Sequence, residues 1–596
     1  MKSLIVSFGV LATVLFEICT AAVLQHISEL KSTSFDFIVI GGGTAGAVVA
    51  NRLSEISKFQ ILVIEAGPTN EGVLNAMVPA FDFNLQKTIY DWNYTTSPGI
   101  GMNNRTIDYP RGHILGGCSS HNGMFYTRGS RDDYDRWANI TDDAGWSWEK
   151  LLPYILKNEK WSPPADLHDT RGEFDPSVHG FDGMMSTSLP GFPQSIDSMI
   201  LQVPGQLPQQ FPFLLDMNAG RPLGLGWFQA SIGNGTRSSS ATAYLSDNFT
   251  SRTNLHVLLN TKVNRIHSTK KGSSGVPTFS SIELDGTNVR LTAKKEIILS
   301  AGPVNTPQIL MNSGVGDREE LLKLGIPGVL HLPSVGKNFS DQPIVEVAYS
   351  VNSNDPLSNT NSTLQAMALA QWEFNRTGPY VNPASNFIAW TRLPSNSAAL
   401  KTGIDPAAGP NTPHLEFVPF SPTSQALEPG NSGGMGFILV TPGSTTHSIS
   451  IPGGSVSLNS TDPLGKPLID MGFFTNRFDI LAMVEGIKLT QEFYKAPVWK
   501  NYIIEQTSPF ANATDADLED FIQNTVFSTQ HGVGTAAMSA VNANYGVVNP
   551  DLLVKGASGL RIVDGSILPF IISGHTQAPV YAIAEHASDL IKNAWK

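Results

Sequence analysis

The residues whose spacing first suggests chemistry are Gly41-Gly42-Gly43-Thr44-Ala45-Gly46, a GxGxxG run. Glycine at the first position permits a tight turn, at the second lets backbone amides approach a pyrophosphate, and at the third lets a helix pack closely on a strand. Glu65 follows 19 residues after Gly46, the separation at which a carboxylate can accept hydrogen bonds from a ribose diol. This is dinucleotide chemistry, and the run alone does not choose between FAD and NAD. Other chemistries find less support. The 13 histidines show no HExxH or paired-ligand spacing, so no metal site is expected. No Gly-x-Ser-x-Gly stands at a strand-to-helix turn, which disfavours a serine hydrolase.

A cradle of this kind needs a strand leading in and a helix leading out. Phe35-Asp36-Phe37-Ile38-Val39-Ile40 is a nearly continuous apolar run ending at the glycines, the pattern of a parallel strand buried on both faces. Ala47, Val48, Ala50 and Leu53 then recur at helical spacing, and Gln60-Ile61-Leu62-Val63-Ile64 predicts the second strand of a β-α-β unit. Near the other end, Gly559–Asp564 predicts a strand and Val580–Lys592 a helix opening beside Pro579. Between about 341 and 530 the chain is richer in Asn, Ser, Pro and Gly and less periodic, which suggests a substrate-facing region. No internal repeat or biased linker is visible, so the domains are expected to interleave, with both ends in one of them.

The chain has 596 residues, 41% hydrophobic and 15% charged, with a net charge of -12. That composition excludes high-charge disorder and disfavours a phosphate-binding surface for nucleic acid. Met1 and Lys2 lead into the apolar stretch Leu4–Phe16, and Thr20, Ala21 and Ala22 follow. This is the layout of a cleavable signal over residues 1–22, and about 13 apolar residues are too few to span a membrane. Ten Asn-x-Ser/Thr sequons, at Asn93, Asn104, Asn139, Asn234, Asn248, Asn338, Asn361, Asn375, Asn459 and Asn512, agree with a secreted, extracellular glycoprotein. With Cys19 in the signal, Cys118 is left alone and no internal disulfide is expected.

Three further segments carry a family likeness. Tyr109-Pro110-Arg111-Gly112-His113-Ile114-Leu115-Gly116-Gly117-Cys118-Ser119-Ser120-His121-Asn122-Gly123-Met124 and Gly302-Pro303-Val304-Asn305-Thr306-Pro307-Gln308-Ile309-Leu310-Met311-Asn312-Ser313-Gly314-Val315-Gly316 resemble the two signatures of the glucose-methanol-choline (GMC) oxidoreductases. The segments around His531 and His575 extend the resemblance from about residue 35 to 592. It implies an α/β (α+β composite) fold. A Rossmann-like FAD-binding domain, mainly 35–340 and discontinuous, would interleave with a substrate domain, mainly 341–530, built on an antiparallel sheet with helices. Residues 531–596 would return to the FAD domain with the catalytic histidines. The resemblance also implies that FAD is bound by Gly41, Gly43 and Gly46 at the pyrophosphate and by Glu65 at the adenosine ribose. Val263 would lie at the adenine, Asp564 and Gly565 at the pyrophosphate-ribityl part, and Asn122, Gly123, Met124, Thr576 and Gln577 beside the ring.

Within the family the chain looks most like the fungal pyranose dehydrogenases, in Gly116–Met124, in His531-Gly532-Val533-Gly534-Thr535 and in Gly574-His575-Thr576-Gln577. That likeness implies a covalent bond between His121 and the flavin. Gln530 departs from it, standing where those enzymes carry an aromatic residue. Aryl-alcohol oxidases are the next most similar. They differ by an aliphatic residue in place of His121, a tyrosine in place of Gly123, and an aromatic-His-Pro sequence in place of Gln530-His531-Gly532. By similarity His531 is the base that removes the hydroxyl proton while a hydride leaves for FAD, and His575 orients the substrate oxygen. Phe417 and Phe420 are candidate stacking faces for the substrate. The expected partners are a sugar or other alcohol and a quinone-type electron acceptor, with no nucleic acid and no membrane, the protein acting as a monomer. A helix opening near Pro579 would turn its positive end toward the cofactor.

Overall fold

A computed structural model describes residues 23–269, 275–353, 361–420, 432–443 and 453–596. The expected signal, 1–22, lies outside the described residues. The apolar run before the glycines forms the strand Ser34–Ile40, whose last four residues are buried. It pairs in parallel with Ile61–Ile64 on one side and Arg290–Leu299 on the other. Leu255–Leu258 and the short Val23–Leu24 extend the sheet beyond Ile61–Ile64. On the far side Arg290–Leu299 is shared. Its C-terminal end pairs in parallel with Leu560–Ile562, while its start pairs antiparallel with Thr278–Leu284, which in turn pairs with Val263–Thr269. The strand near the C-terminus therefore completes a sheet begun at the N-terminus.

Two helices cover this sheet. The helix after the glycines runs Thr44–Ser54, and the C-terminal helix runs Gln577–Ala594, opening slightly before Pro579. They are joined by a buried ion pair in which Arg52 Nε and a terminal nitrogen donate to Glu585 at 2.8–3.0 Å. Glu585 also accepts from Lys157 and from the Tyr244 hydroxyl.

A second, antiparallel sheet has the order Ile503–Ser508, Pro343–Val351, Ser432–Leu439, Leu415–Phe420, Phe387–Thr391, Gly224–Trp227, with Phe527–Ser528 also on Pro343–Val351. The weakly periodic middle of the chain supplies most of it. One face packs on the helix Arg477–Tyr494, and Gly486 lets that helix press against the Phe437 ring. The other face bears Ile344, Glu346, Glu416, Val418 and Ile438 by alternation. Phe417 lies on the helix side, buried in that core, so of the two candidate stacking phenylalanines only Phe420 lines a cavity.

The segment joining the two sheets near the site, Met124–Ser130, is held by a buried charge cluster. Arg128 donates to Glu159 Oε2 at 2.7 Å, and His179 lies between Glu159 (3.0 Å) and Asp216 (2.8 Å). Burial opposes a charge on His179, yet its bonds to Asp216 and Glu159 outweigh that and raise its pKa. The protonated ring is the stabilising form, so its contribution is complete below about pH 6.5 and is lost as pH rises through the elevated folded-state pKa. His179→Ala should lower unfolding free energy by about 3–5 kcal/mol in mildly acid buffer. The gap should narrow as pH rises, as thermal unfolding across a pH series would show; a pH-independent gap would contradict a charged His179.

Candidate active site

Between the two sheets runs a continuous cleft that encloses, together with the solvent at its mouth, about 2180 Å³. Its lining includes Gly41, Gly43, Glu65, His121, Asn122, Gly123, Met124, Val263, His531, Asp564, Gly565, His575, Thr576 and Gln577. Of the residues expected to bind the cofactor or act as catalysts only Gly46 is absent from the wall, because it sits behind the Gly41 turn. A Cβ on Gly46 would overlap the Gly41 carbonyl oxygen, so Gly46 shapes the cradle rather than touching what lies in it. Gly41 is held at φ +100, where a Cβ would overlap Ser300, and only glycine adopts such a backbone freely. Gly43 meets Gly117 almost backbone to backbone: a Cβ on Gly117 would lie 2.9 Å from the Gly43 Cα.

Glu65 is buried and accepts from Gly42 N (2.9 Å) and Gly67 N (2.8 Å). Burial pushes its carboxyl upward against these bonds. Asp564 accepts from Gly302 N (2.9 Å), Thr306 Oγ1 (2.7 Å) and Ser566 N (2.8 Å), fastening the second signature to the C-terminal strand. Asn122 donates to the Gln577 side chain, and Gln577 donates to Ser231 Oγ at 2.9 Å, so the start of the C-terminal helix and the first signature form one wall. The positive end of that helix opens onto the cleft.

His121 is buried with Nε2 lacking any hydrogen-bond partner, and burial lowers its pKa to about 4. The ring is thus a neutral imidazole on the cleft wall, with a buried nitrogen left without a partner. That orphaned atom, the glycine cradle and the Glu65 carboxylate suit a flavin dinucleotide. Among the described residues no cluster of three or more His, Cys, Asp or Glu side chains is arranged to hold a metal ion.

His531 and His575 lie 44 residues apart in sequence, and the structure brings their ring centroids to 4.5 Å at 74°. Different groups stand behind them. His531 Nδ1 is 2.6 Å from Gln342 Oε1. The Gln342 amide nitrogen donates to the carbonyls of Val440 (3.0 Å) and Ile572 (2.9 Å), which fixes the amide's orientation and makes Oε1 the acceptor. His531 therefore carries its hydrogen on Nδ1 and keeps the lone pair on Nε2. Burial, with added repulsion from His575 and Arg111, holds its pKa far below the usual histidine value. The backbone before it is pinned too. Asp341 accepts from His531 N (3.0 Å), Tyr109 Oη (2.8 Å) and Ser528 Oγ (3.0 Å), and Arg111 donates to the Gln530 carbonyl. These contacts hold Gln530 at φ 60, an uncommon conformation for a residue with a side chain.

His575 Nε2 is 2.8 Å from Glu416 Oε1, its backbone N–H donates to Thr127 Oγ1 (2.8 Å), and its ring stacks on Phe125 at 4.1 Å. Burial lowers the imidazole to about 3 and pushes Glu416 well above the usual carboxyl range. Among the described residues no cation approaches Glu416, and burial favours its protonated form, which donates to Nε2 and places the His575 hydrogen on Nδ1. The pair thus offers one nitrogen that accepts a proton and one that donates a hydrogen bond. Gln342, Glu416, Asp341, Arg111 and Phe125 were not singled out from sequence. Glu416 had a readable signal as the one charged residue in the apolar strand Leu415-Glu416-Phe417-Val418-Pro419-Phe420.

A nucleotide-cradling parallel sheet whose cleft continues to two neutral imidazoles is the layout of an FAD-dependent oxidoreductase acting on CH–OH donors. Known proteins agree. GMC oxidoreductase family models match residues 35–344 and 451–584, and the chain belongs to the GMC oxidoreductase family. It is 43% identical to pyranose dehydrogenase 2 of Leucoagaricus meleagris over 96% of this chain and 95% of that one. Among solved structures it resembles an FAD-dependent oxidoreductase from Chaetomium thermophilum, with TM-score 0.84 and 29% identity over 94% of this chain and 99% of that one. It also resembles a fungal aryl-alcohol oxidase, with TM-score 0.80 and 27% identity over 95% of this chain and all of that one.

Gly46→Ala should force the helix away from the Gly41 turn. The purified variant should show a flavin-to-protein absorbance ratio far below wild type, and an unchanged ratio would contradict the role given to this glycine.

Proposed function

We propose that the protein is a secreted, extracellular enzyme that oxidises pyranose hydroxyls to ketosugars and passes the electrons to quinone-type acceptors. The observation that carries this reading is the asymmetric imidazole pair, a proton-accepting Nε2 on His531 beside a hydrogen-bond-donating ring at His575. FAD, when bound, supplies the acceptor for the hydride. His531 Nε2 receives the hydroxyl proton, and His575 donates to the same oxygen and so fixes which C–H faces the cofactor. Gln342 keeps the His531 lone pair on the reactive side, and Glu416 holds His575 in its donor form. Water is limited by the buried floor beneath both rings. The 43% identity to a pyranose dehydrogenase supports the sugar. So does Gly123, which leaves room for a side chain where aryl-alcohol oxidases place a tyrosine.

A second reading is oxidation of aromatic or other primary alcohols with release of hydrogen peroxide. Phe125 and Phe420, both on the cleft wall, favour it, because ring contacts add about 0.5–1.5 kcal/mol beyond burial. Assays of glucose, xylose and benzyl alcohol with a benzoquinone and with oxygen separate the two readings. Sugar turnover with the quinone is expected, and turnover of benzyl alcohol alone, with oxygen, would reverse the choice. His531→Ala should lower turnover by about 10²–10⁴-fold, and near-wild-type turnover would remove His531 as the base.

We also propose that FAD is held covalently through His121, on the strength of its unpartnered Nε2 and neutral ring. Acid precipitation should leave the yellow colour in the pellet for wild type and release it for His121→Ala. Colour in the wild-type supernatant would refute the bond.

A further inference from the structure

One titratable group on the cleft wall has no part in the chemistry above. Glu346 lies on the strand Pro343–Val351, half-buried, and lines the same cleft as the histidine pair. Among the described residues, none donates a hydrogen bond to its carboxyl and none forms an ion pair with it. Its surroundings on the wall are Ile344, Ala384, Val418, Phe420 and Ile438. Burial alone raises its pKa to about 7. A carboxyl placed against apolar side chains without a partner carries an unfavourable desolvation cost, one that a ligand hydroxyl would relieve.

The sheet register fixes where this group stands relative to the reacting centre. Ile344 pairs with Ile438, and Ile438 with Glu416, the residue bonded to His575. Glu346 pairs with Gly436, and Gly436 with Val418. Paired residues point to the same face, so Glu346 lies on the face of Glu416, two strands across and one pleat repeat along the sheet, on the order of 12 Å between their backbones. Gly436 has no side chain to fill the space between, and the Phe420 ring leans over it, 2.9 Å from where a Cβ would be. An aromatic face and a free carboxyl therefore stand side by side on the wall of the cleft that also holds His531 and His575.

We propose that Glu346 is a specificity-determining residue that hydrogen-bonds a second hydroxyl of the substrate, remote from the one oxidised, while Phe420 covers the ring's C–H face. The inference rests on the sugar-oxidising reading and deepens it by naming the group that selects a polyhydroxylated substrate over a simple alcohol. A polar group built to meet a substrate hydroxyl is left unpaired when an analogue lacks it, and that difference provides the discrimination.

The test compares kcat/KM for glucose and for benzyl alcohol, with a benzoquinone as acceptor, in wild type, Glu346→Leu, Glu346→Ala and Glu346→Gln. The Leu and Ala variants should lose glucose kcat/KM by about 10-fold or more, the worth of one lost hydrogen bond to a substrate hydroxyl left with an unpaired partner. Their kcat/KM for benzyl alcohol should be unchanged or higher, and this also reports that the fold and cofactor are intact. Glu346→Gln should keep most of the preference, because its amide still donates and accepts. A glucose-to-benzyl-alcohol ratio unchanged in both Leu and Ala variants, with wild type active on glucose, overturns the role of Glu346. Wild type inactive on glucose overturns the sugar reading itself, and the inference with it.

Discussion

Everything at the reacting centre depends on keeping two neighbouring imidazoles neutral yet differently protonated. Charge is excluded by burial, since two rings 4.5 Å apart in a low-dielectric floor cannot both carry a proton in excess. Burial alone would leave the tautomers free, and the choice is made by the groups behind. Gln342, pinned by two backbone carbonyls, can only accept from His531, while Glu416, held protonated by burial with no cation near it among the described residues, donates to His575. Two histidines of identical chemistry thereby differ, one offering a ring lone pair and the other a ring N–H.

The supports for these rings come from both sheets. Gln342 and Glu416 lie on or next to the antiparallel sheet, whereas His575 stands one residue before the N-cap of the helix that covers the parallel sheet. Asp341 ties the His531 loop to Tyr109 of the first signature, and Asp564 ties the second signature to the C-terminal strand. The cleft is a seam between two sheets that are stitched together by buried hydrogen bonds. The Arg128 cluster beneath Thr127 extends the same arrangement, because Thr127 holds the His575 backbone.

Much of the parallel half was legible because its signals are local. A buried parallel strand reads as an apolar run, and the glycines mark the turn; Ser34–Ile40 and Ile61–Ile64 fall within one residue of their expected bounds. The antiparallel half was harder to read. Its strand Ser432–Leu439 begins Ser-Gly-Gly-Met-Gly and has no alternation to detect; Gly436 is explained by the Phe420 ring pressing close to it, as Gly486 on the facing helix is by the Phe437 ring. His531 and His575 were found through motif resemblance. Gln342, Asp341 and Glu416 were missed because their roles arise only from long-range pairing across the fold. Phe417 and Phe420 show the same limit on a smaller scale: strand phase, set by partners far along the chain, decides which ring meets the cleft.

The sharing of Arg290–Leu299 between Ser34–Ile40 and Leu560–Ile562 bears on how this protein comes into being. The central sheet receives Leu560–Ile562, a strand more than 250 residues further along the chain than Arg290–Leu299, and the helix that carries Glu585 follows it. During synthesis the edge of Arg290–Leu299 that receives Leu560–Ile562 stays open until the chain has been made well past residue 560. Contacts that span more than 500 residues, such as Arg52 with Glu585, make for slow folding and prolonged exposure to aggregation. Both ends of the parallel sheet's support, Arg52 and Glu585, must therefore be present before the pair can form.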